Sequence, residues 1–255
     1  MENPNKEITQ VMKQISLFIL LALLVMVSVS CGNDDDVSHP SPNIQFSCRI
    51  ATATDSRSSE KNYFYEGDKI YIAAAFTLDD GTSKQEYRTA TVSNGLIITT
   101  MEWPENATSA NFDAWFAGNA DADDNGILPT NLHNDILKAT VSVNNSHDII
   151  PLIFQHSLIR VIITGIEKDE TITVSSTSGT DGVISFNTDL SAGNPLACSE
   201  NGISLTLTSD ENSFYLQNWT QPLTLQSNKS TTKKDIPCPE STAEIGKSYI
   251  ILFRQ

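Results

Sequence analysis

Positive charge is scarce in this chain. Its 255 residues carry 16 Lys and Arg against 31 Asp and Glu, a net charge of −15. Phosphate recognition depends on clustered cations, and no basic stripe exists, so nucleic acid is excluded as a partner. Histidine is scarce too, with only His39, His133, His147 and His156. There is no Gly-x-Ser-x-Gly elbow and no His-Glu-x-x-His segment. His156 precedes an apolar run, no nucleophile stands near it in sequence, and it reads as a hydrogen-bonded core or edge residue. Paired carboxylates are too common in so acidic a chain to mark a glycosidase. No enzymatic activity is expected. The four cysteines include no Cys-x-x-Cys spacing, which excludes a zinc or dithiol redox motif.

Long apolar runs are also missing, with one exception. Ile15–Val29 is fifteen residues of ISLFILLALLVMVSV. A helix needs about 20 to span a membrane, so the run is short for a span and fits the core of a signal peptide. Lys6 and Lys13 precede it, and Ser28 and Ser30 close it beside Cys31. This layout resembles the lipobox of bacterial lipoproteins, although Ser28 stands where leucine is usual. The resemblance implies a signal peptide at residues 1–30, lipidation of Cys31 and an acidic linker at 31–43. Asp34, Asp35 and Asp36 would keep that linker solvated and off an anionic membrane surface. The acidic triplet also resembles an export signal for the outer face of the outer membrane. Losing residues 1–30 leaves 225 and no change in net charge, because Glu2 and Glu7 balance Lys6 and Lys13. That length suits one large or two small domains. In a compartment permissive for disulfides, Cys198 and Cys238 are the expected pair. The alternative is that they and Cys48 are buried small hydrophobes.

From Ile44 onward the pattern is β throughout. Ile44–Ser47 and Ile50–Thr52 suggest a first strand, interrupted by Arg49. Lys69–Phe76 reads as a buried strand, Asp79-Asp80-Gly81 as a tight turn, and Gln85–Val92 as the hairpin partner. Asn94-Gly95 marks the next turn. Leu132–Leu137 suggests a short helical turn. Pro151 makes Ile149–Phe154 an edge strand or a bend. Ile159, Val161 and Ile163 alternate as in a half-buried strand. The charged run Glu167-Lys168-Asp169-Glu170 is the expected boundary between domains at 44–166 and 167–255. The pattern predicts an all-β chain with two sandwich-like domains.

Two binding signals are worth stating. Asp121, Asp123 and Asn125, with Gly126 in sixth place, form the front half of an EF-type calcium loop. The twelfth place is Leu132, so a carboxylate such as Asp135 would have to complete it. The competing reading is an Asx turn. Trp103, Trp115 and Trp219 would serve as sugar platforms if exposed, and as core if buried.

The order of features between residues 102 and 158 is more specific. It runs Glu102-Trp103-Pro104, Phe112-x-Ala114-Trp115-Phe116, Asp135-x-Leu137-x-Ala139, then Pro151-Leu152-x-Phe154-x-His156-x-Leu158. Gly67-Asp68-x-Ile70 lies upstream. This ordered set resembles the fimbrillin family, the lipoprotein-derived pilus subunits of Gram-negative anaerobes. The likeness covers roughly residues 45–165, and beyond that it is one of general character.

The resemblance implies two tandem transthyretin-like β-sandwich domains and a non-enzymatic fimbrial subunit or accessory subunit at the cell surface. A surface protease would cut the precursor after a basic residue, here Arg49 or Arg57. A strand from a neighbouring subunit would then fill the vacated groove. The implied partners are other fimbrial subunits by strand exchange, outer-membrane lipid through Cys31, and host or bacterial surface ligands. Either Tyr249–Phe253 donates a strand or the subunit does not donate. The alternative is a glycan-binding surface lipoprotein of a nutrient-uptake system.

Overall fold

The computed structural model describes residues 43–51, 61–146, 148–239 and 243–254. The signal peptide, Cys31 and Arg57 lie outside them. Among the described residues every regular element is a strand except one 3-10 turn at Leu190–Ala192, so the described part of the chain is all-β.

Seven strands close into a barrel. They are β1 (Phe46–Ile50), β2 (Lys69–Leu78), β3 (Ser83–Ser93), β4 (Leu96–Ile98), β5 (Ala107–Phe116), β7 (Leu137–Asn144) and β8 (Ile150–His156). Their order around the ring is β1-β4-β3-β2-β5-β7-β8. The period-two pleat turns Ile70, Ile72, Ala74 and Phe76 of β2 into one core. Phe112 of β5, and Leu152 and Phe154 of β8, join them. Phe46, Phe76, Phe112 and Phe154 are completely buried, each contributing about 1.5–3 kcal/mol. The two predicted hairpins are present. Residues 79–82 join β2 to β3, and Asn94 (φ 51) with Gly95 (φ 78) joins β3 to β4. Positive φ at both central positions is the type I′ geometry that matches strand twist, and the glycine permits it.

The remaining strands are β6 (Ile127–Pro129), β9 (Ile159–Thr164), β10 (Ile172–Ser175), β11 (Val183–Asn187), β12 (Leu196–Cys198), β13 (Ser204–Leu207), β14 (Ser213–Leu216), β15 (Leu223–Ser227), β16 (Lys233–Ile236) and β17 (Ser248–Leu252). They form three sheets, β13-β10-β15-β16, β12-β11-β6 and β14-β9-β17. A second core gathers Val161, Val174, Phe214, Trp219 and Leu225. A third joins barrel to C-terminal lobe, where Tyr71 and Trp115 on the outside of the barrel meet Phe186 at 5.2 and 6.1 Å. The chain between β5 and β7 crosses over as β6 to pair with β11.

Ahead of the boundary expected at 166/167, β9 pairs with β14 and β17 among the described residues. Residues 167–170 form a turn, closed by Glu170 N–H to the Glu167 carbonyl at 3.0 Å. Two expectations are corrected. No helical turn forms at Leu132–Leu137, since Leu132 has φ 64 and Ile136 is buried in the third core. Finally, β8 is not an edge. It lies between β7 and β1, yet β7 pairs with it only at Leu137–His156 and Lys138–Gln155. Ile150 N–H bonds to Gln45 on the β1 side, so the nitrogen of Pro151 faces the unpaired side. The proline forfeits no ladder bond there.

Candidate functional site

The feature that sets the barrel apart is how it is closed. β1 runs parallel to β8 over five pairs, Phe46–Ile150 to Ile50–Phe154. On its other side it meets β4 antiparallel at only Phe46–Ile97 and Ser47–Leu96. Phe46 drives its ring edge-on against Phe112, with centroids 5.0 Å apart. Ile44 and Ile50 are buried beside it. The first strand, with Ile44 just ahead of it, is therefore a plug of three apolar side chains in a slot between two partners. Cys48 lies half-buried within it, its thiol pushed up by burial and by the charge of Asp68.

From residue 61 onward the chain is held by contacts independent of β1. The Lys61 ammonium meets the buried Asp68 carboxylate at 2.6 Å. It also stands 4.6 Å from the ring centroids of Tyr65 and Phe116. Phe64 packs edge-on against Phe116 and Phe154. Burial raises the pKa of Asp68, but hydrogen bonds from Asn119, Lys61 and the Tyr65 amide outweigh it and leave the carboxyl below its ordinary range. Nothing in the sequence alone distinguished Lys61 from other lysines. Its cage depends on rings brought together from two parts of the chain, Phe64 with Tyr65 and Phe116.

The lobe ends on an edge. β17 runs parallel to β9 from Ser248–Arg160 to Leu252–Thr164 and has no second neighbour among the described residues. Tyr249 and Ile251 pack against the second core, while Ile250 and Leu252 are 63% and 47% exposed.

Other predicted positions resolve as follows. Arg49 sits in β1 with its side chain exposed and its backbone paired opposite Ile153. In the expected calcium loop the acidic side chains bond within the chain. Asp121 is held by Lys69 at 2.7 Å, and Asp123 Oδ1 accepts from the Asn125 and Ile127 amides at 2.9 and 2.8 Å. An Asx turn accounts for the loop, and no cluster of three His, Cys, Asp or Glu side chains suited to a metal occurs among the described residues. Cys198 and Cys238 are not paired. Both are free thiols, the first packed against the third core and the second against the C-terminal one. Trp115 and Trp219 are core, 9% and 3% exposed. His156 is buried and hydrogen-bonded to Asp135. That bond joins the Asp135-x-Leu137 and Phe154-x-His156 motifs at the junction of barrel and lobe.

No family model and no curated protein matches the chain. Solved structures do. A proposed cell adhesion protein from Bacteroides uniformis superposes over 82% of this chain and 92% of its own length, with a TM-score of 0.51 at 14% identity. A fimbrial assembly protein from Parabacteroides distasonis covers 82% and 90%, with a TM-score of 0.43 at 13% identity. The fimbrial anchor protein Mfa2 from Porphyromonas gingivalis covers 82% and 89%, with a TM-score of 0.37 at 11% identity. At such identities the likeness is one of fold, and the first of the three carries it.

Proposed function

We propose that this chain is a non-enzymatic fimbrial subunit or accessory subunit, exported as a lipoprotein through Cys31 to the outer membrane and the cell surface. It works in adhesion and assembles with other fimbrial subunits by β-strand donation. In this reading the barrel and the lobe are two tandem transthyretin-like sandwiches. The observation that carries it is the closure by β1. Removing that strand would strip β8 of its partner along Ile150–Phe154 and open the groove that holds Phe46 and Ile50. A bare strand edge beside an empty apolar groove is strongly unfavourable, and an incoming strand of matching register relieves both costs. The solved relatives described as adhesion and fimbrial proteins support the same reading.

Of the two candidate processing residues, Arg49 is held in the ladder, so cleavage after Arg57 is the reading proposed. Loss of the upstream chain leaves the Lys61 clamp intact. Limited trypsin treatment of the full chain is expected to give a product beginning at Ser58 that runs as an SDS-resistant ladder. A clipped product that remains monomeric overturns the polymer role.

A further inference from the structure

The face of β3 that buries Ala90 and Val92 also carries Lys84, Glu86 and Arg88. Across the hairpin these three stand opposite Phe76, Ala74 and Ile72, all buried. Charges thus occupy positions where the pleat calls for core. The cause is the shortness of β4, which pairs with β3 only from Thr91 to Ser93. Among the described residues no strand pairs with Ser83–Ala90 of β3 on that side. Inward-facing charges can serve as guards of an exposed edge, but such breaks in patterning also mark functional sites.

A groove of about 310 Å³ occupies this end of the barrel, lined by Lys84, Glu86, Arg88, Glu102, Trp103 and neighbouring residues. Trp103 is half-buried. Its ring stands edge-on to Phe76 and Phe112 at 5.5 and 6.1 Å, which holds the indole rigid. Glu86 fixes the Arg88 guanidinium through a 2.6 Å contact. The groove therefore combines a fixed aromatic ring with a preset array of donors and acceptors.

We propose that this groove binds a saccharide unit of a surface glycan. A sugar ring offers an apolar C–H face to an indole, and adjacent hydroxyls that pair with guanidinium, ammonium and carboxylate groups. The volume lies at the lower end of the ~300–1,000 Å³ typical of ligand pockets, the size for one ring. Lys84 and Arg88 balance Glu86 and Glu102, which favours a neutral sugar over an anionic one. The inference supplies a ligand for the adhesion reading and does not depend on strand donation.

The test is a glycan array of neutral and acidic oligosaccharides, probed with the full chain. Neutral saccharides should bind, and Lys84→Ala/Arg88→Ala should weaken that binding at least tenfold. Trp103→Phe, which keeps a ring against Phe76 and Phe112, should weaken it as well. If the double variant does not fold, titrating the wild-type protein with the bound sugar decides: tryptophan emission should change, and Trp103→Phe should abolish the change. Absence of any bound saccharide overturns the proposal, as does binding that survives both variants. Trypsin-induced ladders would be unaffected in either case, so failure here leaves the assembly reading standing.

Discussion

Barrel and lobe solve the same closure problem differently. In each, the first and last strands lie side by side and parallel, β1 with β8 and β9 with β17. In the barrel the terminal strand is walled in, and Phe46 is completely buried. In the lobe β17 has one neighbour among the described residues, and Ile250 is 63% exposed. The contrast shows that an apolar strand is a plug only when two partners flank it. With one partner the same kind of strand is an open edge that invites pairing.

Changes that break this contrast should differ in size. The largest effect is expected from Phe46→Ala, which empties the barrel slot and should cost about 3–5 kcal/mol, read from denaturant unfolding. A loss under 1 kcal/mol would mean that β1 is not a structural plug. Gly165→Ala comes next. Gly165 has φ 88, and an added Cβ would collide with the Phe253 carbonyl just beyond β17. Strain of this kind costs roughly 1–3 kcal/mol, and amide exchange should rise first in Ser248–Leu252. Equal exchange across both cores would refute a local effect.

A third change concerns pH. Folded Asp68 has its pKa lowered below the ordinary 3.8. Its contribution is therefore complete above that value and is lost as pH falls through the lower folded one. Asp68→Asn should remove this part of the acid limb, so wild-type and variant stabilities should converge below pH 3.8. Curves that stay parallel to the lowest pH would rule out that linkage. The smallest effect is expected from Ile250→Lys, within about 0.5 kcal/mol because the position is solvated. Its readout is self-association at high concentration, which the charge should suppress.

Local signals were readable in the sequence, and non-local pairings were not. The Asp79–Gly81 and Asn94-Gly95 turns and the buried face of Lys69–Phe76 follow from nearby residues, and all three are present. The Glu167–Glu170 run looks like a linker because charge usually means exposure. Glu170 is nevertheless buried, bonded to Ser227 Oγ at 2.5 Å across the lobe. The crossing of β6 to β11 and the parallel pairing of β17 join residues far apart in the chain, and alternation within one strand carries no record of its neighbour. At the candidate site the same division holds. Arg49 and the apolar Ile44 and Phe46 were visible, but the Lys61 clamp and the charged face of β3 required neighbours to be known.

The parallel arrangement of β1 and β8 has a mechanical consequence. A pull on the chain ahead of Asn43, opposed by the C-terminal lobe, draws β1 toward its start and β8 toward its end. The two strands are then loaded in shear, and all five register pairs resist at once. An antiparallel partner held at the same points would unzip one bond at a time. Force applied at the C-terminus against the start of β9 loads β17 in the same way. Both pairings thus resist most strongly a pull directed along their strands.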